Sequence, residues 1–208
     1  MPIRSTHRDA NRRHFDRWAA RYESDGVSRR LAALQQAALA ELALEPGDRL
    51  LDVGCGTGAA VRAAAAITER AVGVDLSAAM IARGRELAAA IANVELLEAD
   101  AEVLPFGDGS FTAVLCTTSL HHYPHGERAV AEMARVLASG GRAVIADAVT
   151  DRRMVRIADR VLRRLQRSHA GLRRSGEIEA LLADAGLARP RTSWLMGGTY
   201  AIVRAAKG

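Results

Sequence analysis

The chain has 208 residues, nearly half hydrophobic and a quarter charged, with a net charge of +5. That supports one globular domain with a sizeable core. No apolar run approaches the roughly 20 residues of a membrane span, and two cysteines are too few for a disulfide framework.

All but one of the 29 basic side chains are arginine, Lys207 being the exception. The stretch from Met1 to Arg17 is polar and arginine-rich and has no apolar signal region, so a cytoplasmic protein is expected. Cys55 and Cys116 lack metal-site company and read as small buried hydrophobes.

In chain order, Phe15, Trp18, Ala19 and Tyr22 have helical spacing within a helix over 9–24. Leu31, Leu34, Ala38 and Leu42 mark a second helix over 28–43. After the turn Pro46-Gly47-Asp48, strands and helices alternate. Strands are expected at 49–53, 71–75, 94–98, 112–117 and 142–147. Helices are expected at 58–66, 77–91, 126–138, 151–167 and 176–185. Gly140-Gly141 and Gly186 read as helix stops. Two last strands, near 190–196 and 199–205, flank Gly197-Gly198 and read as a hairpin.

This pattern predicts an α/β fold, a Rossmann-like seven-stranded, mostly parallel sheet with helices on both faces and an antiparallel C-terminal hairpin. The chain reads as one domain. Residues 1–45 form a helical lid and 46–147 the binding core. Residues 148–175 form an arginine-rich cap, with Ser168 to Ser175 a mobile loop. Residues 176–208 are the last helix and the hairpin.

The strand-turn Leu50-Leu51-Asp52-Val53-Gly54-Cys55-Gly56-Thr57-Gly58 carries the most chemistry. A buried strand runs into alternating glycines, which let backbone approach a bulky ligand. Alone it also satisfies a loose dinucleotide fingerprint. Asp52, just before the loop, argues against a pyrophosphate and suits a cationic amino group. Asp75 ends the next strand, where it can take both ribose hydroxyls of either ligand class. Asp100 ends the third and can accept from an exocyclic adenine amine; a third strand-end acid lies outside the dinucleotide pattern.

These blocks, with Val74-Asp75-Leu76-Ser77, Ala99-Asp100-Ala101-Glu102, Leu104-Pro105-Phe106, Ser119-Leu120-His121-His122, Arg135-Val136-Leu137 and Gly140-Gly141-Arg142, resemble a known family. They look like class I S-adenosylmethionine-dependent methyltransferases, particularly the ubiquinone/menaquinone-biosynthesis-like small-molecule branch. The resemblance runs in order from about residue 15 to 205. It implies S-adenosylmethionine as cofactor and S-adenosylhomocysteine as product. It implies that Gly54, Gly56 and Gly58, with Cys55 among them, line the methionine portion, and that Asp52 lies near its amino group. Asp75 would hold the ribose, with Leu76 and Met80 flanking the adenine. Asp100 and the Ala101 backbone would read the adenine edge, with Glu102 next in the block. The Thr117 carbonyl would meet the amino group. Phe15-Asp16-Arg17-Trp18-Ala19-Ala20-Arg21-Tyr22 is similar to the family's lid segment, which places Tyr22 on the methionine carboxylate; packing on the core is the alternative for this stripe.

Methyl transfer to oxygen needs a base near neutral pH, which suits histidine. His121 and His122 follow strand 112–117, and Asp147 ends strand 142–147. Neighbouring strand ends could make Asp147 the orienting acid of His121. This pairing resembles that of rebeccamycin-type sugar O-methyltransferases, although the substrate-binding part matches poorly. His121 is therefore the candidate base, with His122 a second candidate in the same loop.

Residues 152–174 hold nine arginines against one acid, Asp159. On a helix, Met154, Ile157, Ala158, Val161 and Leu165 form one stripe. A solvated amphipathic helix is the plain reading; an anionic substrate, nucleic acid or an anionic membrane surface are the others. No Asn-Pro-Pro-Tyr-type motif or RNA-binding module is present, which counts against nucleic acid. The expected function is methylation of a small molecule, most simply at oxygen, with no metal; a homo-oligomer is left open. Two alternatives stand: non-methyl chemistry such as cyclisation on the same fold, and an arginine-led, RNA-associated or non-catalytic binding protein.

Overall fold

A computed structural model describes residues 3–24, 26–165 and 170–208. Helix α1 (Ile3–Trp18) passes through a 3-10 segment, Ala19–Ser24, into α2 (Gly26–Leu42). Then β1 (Arg49–Val53), α3 (Ala59–Ala64), β2 (Arg70–Asp75), α4 (Ala78–Leu87) and β3 (Val94–Glu98) alternate. They lead to β4 (Phe111–Thr117), α5 (Gly126–Val136), β5 (Leu137–Ala148), α6 (Arg153–Leu165), α7 (Ser175–Asp184), β6 (Leu187–Leu195) and β7 (Tyr200–Lys207).

The sheet has the order β3-β2-β1-β4-β5-β7-β6. Neighbours from β3 to β5 pair in parallel, and β7 runs antiparallel between β5 and β6. This is the expected mixed sheet with its C-terminal hairpin. The strand order reverses between β1 and β4, where an open α/β sheet has its ligand crevice.

The central strands are apolar in unbroken runs because both faces are covered. Side chains alternate between two layers. Leu51, Val53, Val72, Val74, Val114 and Ile145 meet α5 and α7 through Val130, Met133, Ile178 and Leu182. Leu50, Ala113, Leu115, Val144 and Ala146 meet α2 through Leu34, Ala38 and Leu42. Leu50 and Leu51 are fully buried, and truncating either to alanine is worth about 2–5 kcal/mol of stability.

Three expectations change. Gly140-Gly141 does not stop a helix: α5 ends at Val136, and the glycines lie inside β5. Phe111 pairs with Leu137 but Ala113 with Arg142, so the intervening residues bulge from the ladder, with Gly140 at φ 76°. Second, Ser168 and His169 of the expected mobile loop lie outside the described residues, and the rest is tied down. Ala170 and Gly171 donate to the His121 carbonyl, Leu172 donates to Asp159, and Arg173 accepts from Thr150. Third, the apolar stripe of α6 faces outward (Met154, Ile157, Ala158, Val161 and Leu165 are all exposed), while Asp159 is the buried residue. Among the described residues, no helix is long and apolar enough to cross a membrane.

Candidate active site

The loop after β1 is clamped to β2: Gly54 and Cys55 both donate to the Val74 carbonyl, at 2.8 and 3.0 Å. Gly54 has φ 78°, and a Cβ there would lie 1.9 Å from Ser119 Oγ. Only glycine lets the loop seat on the β4 loop in this way. Gly56 N donates to Asp75 Oδ2 at 2.8 Å, and the Tyr22 ring lies over Gly56. Gly54, Gly56, Asp75 and Leu76 line a cavity with Tyr22, Asp100, Ala101, Glu102 and Thr117.

Four other expected cofactor residues lie outside the cavity wall. Met80 is fully buried on α4. Gly58, at φ 76°, starts α3 against Leu96, so its missing side chain serves packing. Cys55 is buried in the cluster of Val61, Ile81 and Leu96, and burial pushes its thiol well above the usual range. Asp52 is fully buried at the end of β1.

Neither carboxylate oxygen of Asp52 has a hydrogen-bond partner. Burial, and then the nearby Asp75 charge, push its pKa up to about 7. A buried acid without a partner is costly and is a mark of a functional site. Asp75 accepts from Gly56 N and from Ser77 N at 2.9 Å; its pKa is also raised, chiefly by burial. Tyr22 is pushed up to about 12 by burial and then by Asp75 and Asp52, so its hydroxyl stays a donor.

The acids after β3 are covered by α1. Arg8 pairs with Asp100 at 2.7 Å and with Glu102 at 2.6 Å. Glu102 also accepts from His125 N, and Asp100 from Glu102 N. Asp16 accepts from Ser77 Oγ at 2.6 Å, fixing the other end of α1 at the start of α4.

Several wall residues were not anticipated. Asn11 is buried in the wall and its Oδ1 has no partner. It continues the stripe Phe15, Trp18, Tyr22 by one helical turn, a signal present in the spacing. Tyr123 donates to the Val53 carbonyl and bonds Ser119 Oγ at 2.7 Å, bracing the floor beneath Gly54. Thr118 lines the wall at φ 50°, a strained state for a β-branched residue. No sequence signal marks it.

β4 and β5 end side by side, with Thr117 paired to Ala146. The next residues bring His121 and Asp147 together. His121 Nδ1 lies 2.7 Å from Asp147 Oδ1, and His121 N donates to Oδ2 at 3.0 Å. Ala148 N also donates to Oδ1 at 2.8 Å, so the buried carboxylate is held from three directions. His122, not His121, lines the cavity, edge-on to Phe15 at 5.1 Å. The two imidazoles lie with centroids 4.0 Å apart and their planes tilted by 44°.

The glycine loop and the strand-end acids, at the crevice where the sheet's order reverses, lie in a stretch of methyltransferase-domain sequence. Residues 51–145 match the family described as "Methyltransferase domain". Among curated relatives, 27-O-demethylrifamycin SV methyltransferase of Amycolatopsis mediterranei is 40% identical over 110 residues, covering 51% of this chain and 40% of that protein. The ubiquinone/menaquinone biosynthesis C-methyltransferase of Ectopseudomonas mendocina is 37% identical over 140 residues, covering 63% and 55%. The matched stretch thus spans about half of each relative's own length or less. The solved structure of the YcgJ protein of Bacillus subtilis superposes with a TM-score of 0.73 at 20% identity, covering 83% of this chain and 97% of that one, which shows the shared fold.

The residues present fit the cofactor of this class. Both oxygens of Asp52, buried behind the cavity wall, and Asn11 Oδ1 within the wall have no hydrogen-bond partner among the described residues. The glycine loop gives backbone access on one side, and Tyr22 offers a hydroxyl on the other.

Proposed function

We propose that the chain binds S-adenosylmethionine in this cavity and directs its methyl group to a small-molecule acceptor, most simply at an oxygen. The observation that carries the reading is the convergence of Gly54, Gly56, Asp75 and Asp100 on one cavity, beside the His121–Asp147 pair. The cofactor supplies a methyl group activated on a sulfonium; the protein supplies binding and alignment. Asp52 provides the counter-charge for the amino-acid end. Asp75 turns a carboxylate to the ribose hydroxyls while Gly56 N and Ser77 N keep it oriented. α1 and Tyr22 form the lid and exclude water.

Oxygen as the acceptor atom is supported by the His121–Asp147 geometry. With Nδ1–H donating to Asp147, Nε2 is the basic atom of the ring. His121 Nε2 would take the proton of an acceptor hydroxyl as the methyl group left the sulfonium, releasing S-adenosylhomocysteine, and Asp147 would stabilise the imidazolium formed. The relatives named for rifamycin and quinone methylation make a small organic acceptor the natural class.

The test is calorimetry with S-adenosylhomocysteine, followed by its release from S-adenosylmethionine in the presence of hydroxylated polyketides and quinols. Saturable binding that weakens by roughly ten- to a hundredfold in Asp75→Ala is expected, with methyl transfer to a hydroxyl acceptor. Absence of binding would refute the cofactor assignment. Transfer to carbon or nitrogen that is indifferent to His121 would refute the oxygen reading alone.

A further inference from the structure

α6 shows the solvent what a core-packing amphipathic helix hides. Its inward side holds Asp159, whose Oδ1 accepts from Leu172 N at 2.8 Å, with the half-buried Val155 and Leu162 beside it. Its outward side carries Met154, Ile157, Val161 and Leu165, which are 83, 60, 50 and 75% exposed. At helical pitch these four fall within an arc of about 80°. Arg153, Arg160 and Arg164, all exposed, occupy the next strip of about 40°. No acid lies on this outward half.

The patch extends past the helix. A Cβ at Gly198 would lie 3.1 Å from Arg152 Nε, which places the β6–β7 turn beside the start of α6. That turn carries the exposed Met196, with Trp194 exposed on the adjoining strand. Six of the eight large hydrophobic side chains exposed among the described residues thus belong to α6 and this corner. Single exposed apolar residues are ordinary, but a contiguous group marks an interaction surface.

We infer that α6, with Trp194 and Met196, is a docking surface for an anionic lipid bilayer. An apolar stripe flanked by arginines and free of acids is the pattern of a helix lying in the plane of a membrane interface. Met154, Ile157, Val161 and Leu165 enter the boundary between headgroups and acyl chains. The arginine stems lie along it, with their guanidinium groups at phosphate level. Charge selects this occupant. A second copy of the chain would bring another arginine row with no acid to meet it. Nucleic acid would use the arginines but leave the apolar stripe in water.

Docking there also concerns the reaction. Leu172 ties the segment 170–173 to Asp159 of α6, and Ala170 and Gly171 close on the His121 carbonyl. The surface that meets the bilayer is therefore tied, through this segment, to the backbone of His121.

The test is co-sedimentation of the full chain with vesicles of phosphatidylglycerol mixed into phosphatidylcholine, against phosphatidylcholine alone. Binding at least about tenfold tighter to the anionic vesicles is expected, weakening as salt is raised. Ile157→Glu with Val161→Glu should lower it about tenfold or more, with melting temperature and S-adenosylhomocysteine affinity unchanged. Arg153→Gln, Arg160→Gln and Arg164→Gln together should lower it further, at about fivefold per arginine. Equal or absent binding to the two vesicles would overturn the inference, as would indifference to the two glutamates. So would light scattering that shows a dimer which those glutamates split, since the face would then belong to a second copy. Retention of single-stranded RNA but not vesicles, lost only with the arginines, would assign the surface to nucleic acid instead.

Discussion

Arg8 on α1 reaches Asp100 at 2.7 Å and Glu102 at 2.6 Å, so one guanidinium ties α1 to the strand-end acid expected to read adenine. In the proposed binding mode the cofactor lies beneath this contact. Both oxygens of Asp100 are already engaged, one by Arg8 and one by Glu102 N, so the adenine amine adds to an existing cluster. Arg8 is 40% exposed, and exposed pairs contribute only about 0–1 kcal/mol each. Arg8→Gln is therefore expected to speed S-adenosylhomocysteine release by about fivefold and to leave the melting temperature nearly unchanged. Stopped-flow dissociation measures it. Raising salt should speed release from the native chain and hardly affect the variant. An unchanged release rate would mean that α1 does not gate the cavity.

Asp52 makes stability and binding respond to pH in opposite senses. Its folded pKa of about 7 lies above the ordinary 3.8, because burial and Asp75 disfavour the charge. Its neutral form is compatible with the fold. Stability is thus full below the ordinary value and falls as pH rises through about 7. Asp52→Asn cannot ionise, so the ligand-free variant should match the native chain near pH 4. At pH 8 it should melt roughly 4–10 °C higher. The amino group of S-adenosylhomocysteine needs the ionised form, so native affinity should rise roughly tenfold between pH 5.5 and 7.5. In Asp52→Asn that rise should vanish. Calorimetry and thermal melts at both ends of the range check both signs.

The glycines of one loop separate by role. Gly56 faces the cavity and the Tyr22 ring, whereas Gly58 has φ 76° with Leu96 2.9 Å from where a Cβ would stand. Gly58→Ala should cost about 1–3 kcal/mol of stability through backbone strain and crowding of Leu96. S-adenosylhomocysteine affinity should stay within about threefold once the variant is folded. Denaturant titration and calorimetry read the two quantities separately. A large loss of affinity at unchanged stability would return Gly58 to the binding site.

Loss of the Asp75 carboxylate tests the ribose contact. Asp75→Ala removes the acceptor of Gly56 N and Ser77 N as well as the expected partner of the ribose hydroxyls. Affinity for S-adenosylhomocysteine should fall by roughly 1.5–3 kcal/mol, the usual loss for hydrogen bonds to a charged group. Calorimetry measures this, and undiminished affinity would reject the contact.

The cavity was legible where its determinants are local. A strand-end acid and a positive-φ glycine declare themselves within a few residues, so Gly54, Gly56, Asp75 and Asp100 were readable from the chain. The His121–Asp147 meeting required one further step, that β4 and β5 are neighbours, which βαβ order supplies. What could not be read depends on tertiary choice. Periodicity marks the apolar stripe of α6 but not which way it turns; the inward side is the one where Asp159 meets Leu172 N. Gly140-Gly141 fits a helix stop or a bulge equally well until Phe111 and Leu137 pair. Met80 has the residue type of an adenine neighbour, yet packs fully buried on the inner side of α4. Arg8 finds Asp100 across 92 positions of sequence, beyond any local signal.

The His121–Asp147 pair gives the prediction that bears most on mechanism. If His121 takes the acceptor's proton and Asp147 only orients it, each loss removes the same function. His121→Ala should lower turnover by roughly 10²-fold or more. Asp147→Asn should do comparable damage, because its amide cannot stabilise the imidazolium and presents a donor toward Nδ1. The double variant should be little worse than either single one, since residues acting as a unit are not additive. S-adenosylhomocysteine affinity should change less than about threefold in all three, because neither side chain lines the cofactor cavity. His122→Phe, which keeps a ring against Phe15, should instead change cofactor affinity more than turnover. If the two single effects multiply in the double variant, His121 and Asp147 act independently. If His121→Ala costs less than about threefold in turnover, the imidazole is a packing residue and the acceptor needs no base from it.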